Sequence, residues 1–198
     1  MNGEAEISQQ ELINAGLEIA RFEGLNNVTV SDICEKVGIS ENSFLSLYSS
    51  FDELITELQV RVKSMLLAYA LNSYTENPFY NFGIGLVFFA RDEKVLFRSF
   101  FLDGGSYTEI IDGLIDKLLH EMSKMSRFSL LTEEEQRELL MKVWCWSQGV
   151  ADFVILKLIP DDDETIKKVL YDTGHMIVQD TLDRAKKRQK AVDKKQSD

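Results

Sequence analysis

Nucleophilic and metal chemistry find little to work with in this chain of 198 residues. Its two histidines, His120 and His175, are isolated, and its two cysteines, Cys34 and Cys145, are far apart with no CxxC spacing. A zinc-binding histidine pair on one helical turn, a glycine-rich phosphate loop and a serine nucleophile elbow are all missing. Gly83-Ile84-Gly85 lacks the third glycine of a dinucleotide loop, and Asp161-Asp162-Asp163-Glu164 lacks the alternation of a calcium loop. The pattern predicts no metal site, no cofactor and no enzyme. What is concentrated is hydrogen-bonding capacity of another kind. Thr29, Ser31, Ser40, Glu41, Asn42, Ser43, Ser46, Tyr48 and Ser50 fall within one short stretch, with Leu45 among them. Hydroxyls and helix-start N–H groups hold phosphate oxygens, Asn pairs most naturally with adenine, and Glu can accept from the cytosine amino group. These are groups that a reader of a nucleic-acid groove can use.

Groove reading requires short helices held at a fixed angle, and the flanking residues supply them. Four helix starts are marked by a hydroxyl followed three residues later by a carboxylate: Ser8/Glu11, Thr29/Asp32, Ser50/Glu53 and Thr132/Glu135. A first helix is expected over residues 9–23, its apolar stripe built on Leu12, Ile13, Gly16, Leu17, Ile19 and Ala20, with Gly24 to close it. A second follows Thr29, with Val30, Ile33, Cys34 and Val37 at helical spacing. Gly38-Ile39-Ser40 then reverses the chain, plugs the core and caps a third short helix, in which Phe44 and Tyr48 face inward. Two short helices, a glycine turn and a supporting first helix fit either a helix-turn-helix, placed at about residues 29–48, or a generic three-helix bundle with no groove to read.

The run from Thr29 through Val30, Ser31, Asp32, Ile33, Cys34 and on to Gly38-Ile39-Ser40, then Phe44, Tyr48, Ser50 and Glu53-Leu54, resembles the amino-terminal domain of TetR-family transcriptional regulators. So does the preceding segment, from Leu12-Ile13-Asn14-Ala15-Gly16 through Glu23-Gly24-Leu25; the resemblance covers about the first 60 residues. It implies an all-α protein with a three-helix reading domain at residues 1–54 and a larger helical effector-binding and dimerisation domain at 55–188. A basic, disordered tail is expected at 189–198. Beyond a fourth helix at 51–71, helices are expected at 80–91, 94–102, 105–127, 132–158 and 162–188, nine in all, which is the family's number. The resemblance further implies double-stranded DNA as a partner, a small apolar effector and a homodimer. The dimer contact would fall to the last two helices, with Trp144, Gly149, Phe153, Ile166, Leu170 and Ile177 as candidates. The aromatic series beginning at Phe79 supplies either core or the wall of an effector cavity, with Phe88, Phe89, Phe97, Phe100, Phe101, Tyr107, Trp144 and Trp146 as wall candidates.

The charge pattern departs from that family. Where its pattern has lysine, tyrosine and lysine, this chain has Glu41, Leu45 and Phe51. Residues 1–54 carry two cations, Arg21 and Lys36, against ten carboxylates, and no Lys or Arg lies between Val37 and Val60. Phosphate contacts by cations supply most of the affinity of DNA binders. Two readings therefore stay open: a dimeric, effector-controlled DNA-binding regulator, or a TetR-like dimer that has lost direct DNA contact and works through a protein partner or as a small-molecule sensor. The whole-chain charge of −11 excludes a general nucleic-acid binder. The chain opens on acidic and polar residues and its longest apolar run, residues 83–90, is too short to span a bilayer, so no membrane association and a cytoplasmic location are expected. Both thiols are expected to be buried in a reducing compartment.

Overall fold

A computed structural model of the chain describes residues 7–102 and 108–196. Among these residues it is helical throughout, with helices α1 (Gln9–Glu23), α2 (Val30–Val37), α3 (Glu41–Leu47), α4 (Phe51–Ala70), α5 (Pro78–Asp92), α6 (Lys94–Phe101), α7 (Thr108–Ser123), α8 (Glu133–Ile155) and α9 (Asp163–Gln196). Short 3-10 turns lie at Leu25–Asn27 and Ser126–Phe128. All four hydroxyl caps form: the oxygens of Ser8, Thr29, Ser50 and Thr132 accept from the backbone N–H groups of Glu11, Asp32, Glu53 and Glu135. At Ser8 and Thr132 the carboxylate also accepts from the cap's own N–H, which closes a reciprocal box.

The chain divides into two compact units. The first takes Met1–Met65 and Asp92–Ile110. Its core gathers Leu12, Ile33, Phe44, Tyr48, Leu54 and Leu58, each almost fully buried. Gly16 permits this, since a Cβ there would meet Leu58 at 3.0 Å and Ile33 at 3.4 Å. Helix α6 packs on α1, where Arg21 pairs with Glu93 at 2.7 Å and the N–H of Leu25 donates to a buried Ser99 hydroxyl at 2.7 Å. Sequence periodicity had no means of assigning α6 to the neighbourhood of α1, because the two are some seventy residues apart in the chain.

The second unit takes Leu66–Arg91 and Ile111–Asp198. At its centre α5 is buried from Phe79 to Ala90 around its whole circumference, as a helix without a polar face must be. Asn77 caps it by accepting from the Phe79 N–H at 3.2 Å, and Pro78 takes the first helical position. A Cβ at Gly85 would lie 2.2 Å from the Tyr69 carbonyl oxygen, so only glycine lets α4 cross α5 at this distance. Helices α8 and α9 form the most extensive helix pair.

Two expectations are corrected by this architecture. The last helix, expected at 162–188, runs on to Gln196. No glycine or proline stops it, Lys186–Asp183 and Gln189–Asp193 pairs brace it one turn apart, and lysines suit a helix carboxyl end. Of the two thiols only Cys34 is buried; Cys145 is exposed on α8.

Candidate nucleic-acid interface and ligand cavities

The turn between α2 and α3 depends on one residue. Gly38 sits at φ 75°, ψ 37°, the left-handed conformation that glycine alone adopts without strain, and its N–H donates to the Cys34 carbonyl. Ser40 then caps α3, its hydroxyl accepting from the Ser43 N–H at 3.2 Å. Phe44 and Tyr48 stack at 5.6 Å between ring centroids and anchor α3 from below. This leaves Ser40, Glu41, Asn42, Ser43, Leu45 and Ser46 exposed, together with Thr29, Ser31 and Ser50 at the neighbouring helix starts. Leu45 is 59% exposed and adds an apolar side chain to this polar row.

Tyr48 differs from the other predicted contacts. It is 1% exposed and its hydroxyl donates to Glu57 at 2.8 Å, so it holds α3 to α4 and has no hydroxyl to offer a phosphate. Burial, and then the Glu57 carboxylate, push its pKa well above the usual phenol range. The remaining hydroxyls are partly committed to capping: Thr29 to Asp32, Ser40 to Ser43, Ser46 to the Ser43 carbonyl. The side chains of Asn42 and Ser31 are exposed and have no hydrogen-bond partner among the described residues. The two cations of the first three helices are both in ion pairs, Arg21 with Glu93 and Lys36 with Glu18 at 2.9 Å.

The predicted effector wall is dispersed. Phe97 and Phe100 are buried in the first unit, where Phe101 packs against both at 5.0 and 5.1 Å. Phe88 and Phe89 belong to the second unit but pack against Tyr74 and Tyr69 in its core. Tyr107 lies outside the described residues. Trp144 lines a small apolar cavity of about 20 Å³ among α4, α5, α7 and α8, and Trp146 lines a larger one of about 640 Å³ among α5, α8 and α9. A third, shallower cavity of about 990 Å³ lies along α5 and α7. Of the residues that shape the middle-sized cavity, Tyr80 belongs to the aromatic series expected as core or wall, whereas Arg127, Ser147, Tyr171 and His175 were not singled out as wall candidates. The signal was the spacing of Lys167, Tyr171 and His175 down one side of α9, which only becomes meaningful once α5 is placed beside it.

Of the predicted dimer contacts, Gly149 is exposed with nothing within 4 Å of where a Cβ would stand, and Phe153 is 51% exposed. Trp144 and Ile177 are half-buried. Ile166 and Leu170 are buried inside the chain's own fold. The outward row on α8 is Met141, Cys145, Gly149 and Phe153, followed by Leu156 just past its end, with Met176 exposed on α9.

Solved structures share this fold. A transcriptional regulator from Rhodococcus sp. Rha1 superposes with a TM-score of 0.63 at 17% identity, covering 87% of this chain and 97% of that one. A TetR-like transcriptional regulator from the same source gives 0.52 at 17% identity, over 82% and 90% of the two chains. The chain has the TetR-like fold. The fatty acid degradation regulator FadR from Bacillus halodurans shares it as well, at a TM-score of 0.56 and 12% identity over 86% of this chain and 94% of that one. No family model matches the sequence. No curated protein matches it either. Among the described residues of this TetR-like chain, no three His, Cys, Asp or Glu side chains gather to hold a metal ion, and no helix is long and apolar enough to cross a membrane.

Proposed function

We propose that the protein is a DNA-binding transcriptional regulator that works as a homodimer in the cytoplasm, where its operator would be found. The observation that carries this reading is the capped α2–Gly38–α3 turn. It exposes one row of polar side chains on a helix whose opposite face is fixed by Phe44 and Tyr48. A helix-turn-helix reader binds two half-sites through a two-fold dimer, and the exposed row from Met141 to Phe153 on α8 is the surface best suited to form one. Asn42 would read base edges, with Ser31, Ser40 and Ser43 as neutral phosphate or base donors.

Small-molecule control follows from the second unit, whose cavities are separate from the reading residues. A ligand that binds better when the two reading heads stand at one spacing weakens or strengthens DNA binding by that difference in affinity. The reading is tested by fluorescence anisotropy with duplexes enriched by the protein from a random pool at low salt. Two chains per duplex and a palindromic consensus are expected. Failure to enrich any duplex would favour the second reading, in which the exposed Leu45 and acidic head meet a protein partner.

A further inference from the structure

The cavity of about 640 Å³ among α5, α8 and α9 is of a size that small-molecule sites commonly have. Three features of its wall agree on what it would hold. Its cations are unequal: Lys167 is paired with Glu164 at 3.5 Å and Lys168 with Asp172 at 2.6 Å, whereas Arg127 has no carboxylate partner among the described residues. Arg127 instead stands over the rings of Tyr80 and Phe128, at 5.9 and 5.1 Å from their centroids. Next to it, Tyr80, Tyr171 and His175 form an aromatic cluster, Tyr80 edge-on to Tyr171 at 5.2 Å and Tyr171 stacked on His175 at 5.5 Å, with a Tyr80 Oη to His175 Nδ1 contact of 3.3 Å. Finally, the indole N–H of Trp146 and the hydroxyl of Ser147, both on residues that line the cavity, are buried without a hydrogen-bond partner. Ser147 is fully buried, and an indole N–H can only donate.

What the wall presents is a guanidinium without a carboxylate partner beside aromatic rings, which suits a carboxylate attached to a planar ring. We propose that the cavity binds an aromatic monocarboxylate, its carboxylate on the Arg127 guanidinium and its ring against Tyr80 and Tyr171. A dianion is disfavoured, because Glu76, Glu164 and Asp172 also line the cavity. Binding itself stands on the cavity alone; its regulatory meaning rests on the DNA-reading function proposed above.

The full chain is titrated with 1-naphthoate and with 1-naphthalenemethanol, which keeps the ring but lacks the charge. Tryptophan emission and calorimetry report binding. The naphthoate is expected to bind about tenfold or more tighter than the alcohol. Arg127→Gln should bring the two to similar affinity, Arg127→Lys should keep part of the preference, and Tyr171→Ala should weaken both ligands. Thermal melts and sedimentation of each variant separate lost binding from lost folding or altered assembly. Equal affinity of the wild type for both compounds overturns the proposal, as does unchanged naphthoate affinity in Arg127→Gln, or no signal at millimolar naphthoate. A variant that changes only subunit association overturns it too, and assigns the cavity to the second copy. Naphthoate binding that leaves DNA affinity unchanged keeps the site and overturns only its regulatory meaning.

Discussion

Glu41 opens α3 where a cation would help most on DNA. Its carboxylate suits a helix amino end, and it repels a nearby phosphate. Replacing it should therefore separate the two roles. Glu41→Lys is expected to cost a few tenths of a kcal/mol of stability and to strengthen duplex binding. It should also steepen the log–log salt dependence by about 0.9, one released counterion. Anisotropy titrations over a salt series check this, and an unchanged slope would place residue 41 away from the backbone. Tyr48 makes the opposite case. Tyr48→Phe is expected to lose about 1 kcal/mol of stability with its bond to Glu57, read as a lower urea midpoint at unchanged m-value, with no loss of DNA affinity beyond that. A hydroxyl in the right stretch of sequence looks like a phosphate donor. Only the packed position shows that Tyr48 spends it on Glu57.

Helix placement was largely legible, because it depends on local chemistry. Ser8/Glu11 and Thr132/Glu135 mark the starts of α1 and α8, and Gly38 marks the turn before α3. Helix-to-helix relations were not legible, since they depend on residues far apart in sequence. Nothing near Phe97 or Phe100 says that they serve the first unit while Phe88 and Phe89 serve the second. The capping box carries a pH prediction. The Ser8 backbone N–H, and after it the Ser8 hydroxyl, hold the Glu11 carboxyl below the usual carboxylate range. Its contribution is therefore present at neutral pH and lost as pH falls through that lowered value. Glu11→Gln should flatten this part of the acid titration of α1, followed by circular dichroism at low ionic strength. The α4–α5 crossing gives a sharper test. Gly85→Ala places a methyl against the Tyr69 carbonyl and is expected to destabilise the protein by about 1–3 kcal/mol, despite alanine's better helix propensity. A stability gain would mean that the crossing is looser than 2.2 Å implies.

At the scale of the molecule, the proposed dimer and the proposed DNA contact can be examined separately. The exposed α8 row contains Cys145 and Phe153. Thiol labelling should find Cys34 slow, since it is buried and its pKa is raised first by that burial and then by Glu41. Cys145 should label quickly in dilute protein and more slowly as chain concentration rises, and Phe153→Glu should abolish that concentration dependence. The acidic surface of the head sets the remaining question, because the TetR-like fold positions α3 without supplying the usual cations. The measurement that decides it is the affinity of the wild-type chain for its selected duplex across a salt series, with Asn42→Ala alongside. The account predicts two chains on a palindrome whose half-site centres lie about 34–36 Å apart. It also predicts a shallow salt slope and an affinity loss of about 1–3 kcal/mol in Asn42→Ala. No sequence-specific duplex at low salt, or equal binding by wild type and Asn42→Ala, would contradict it.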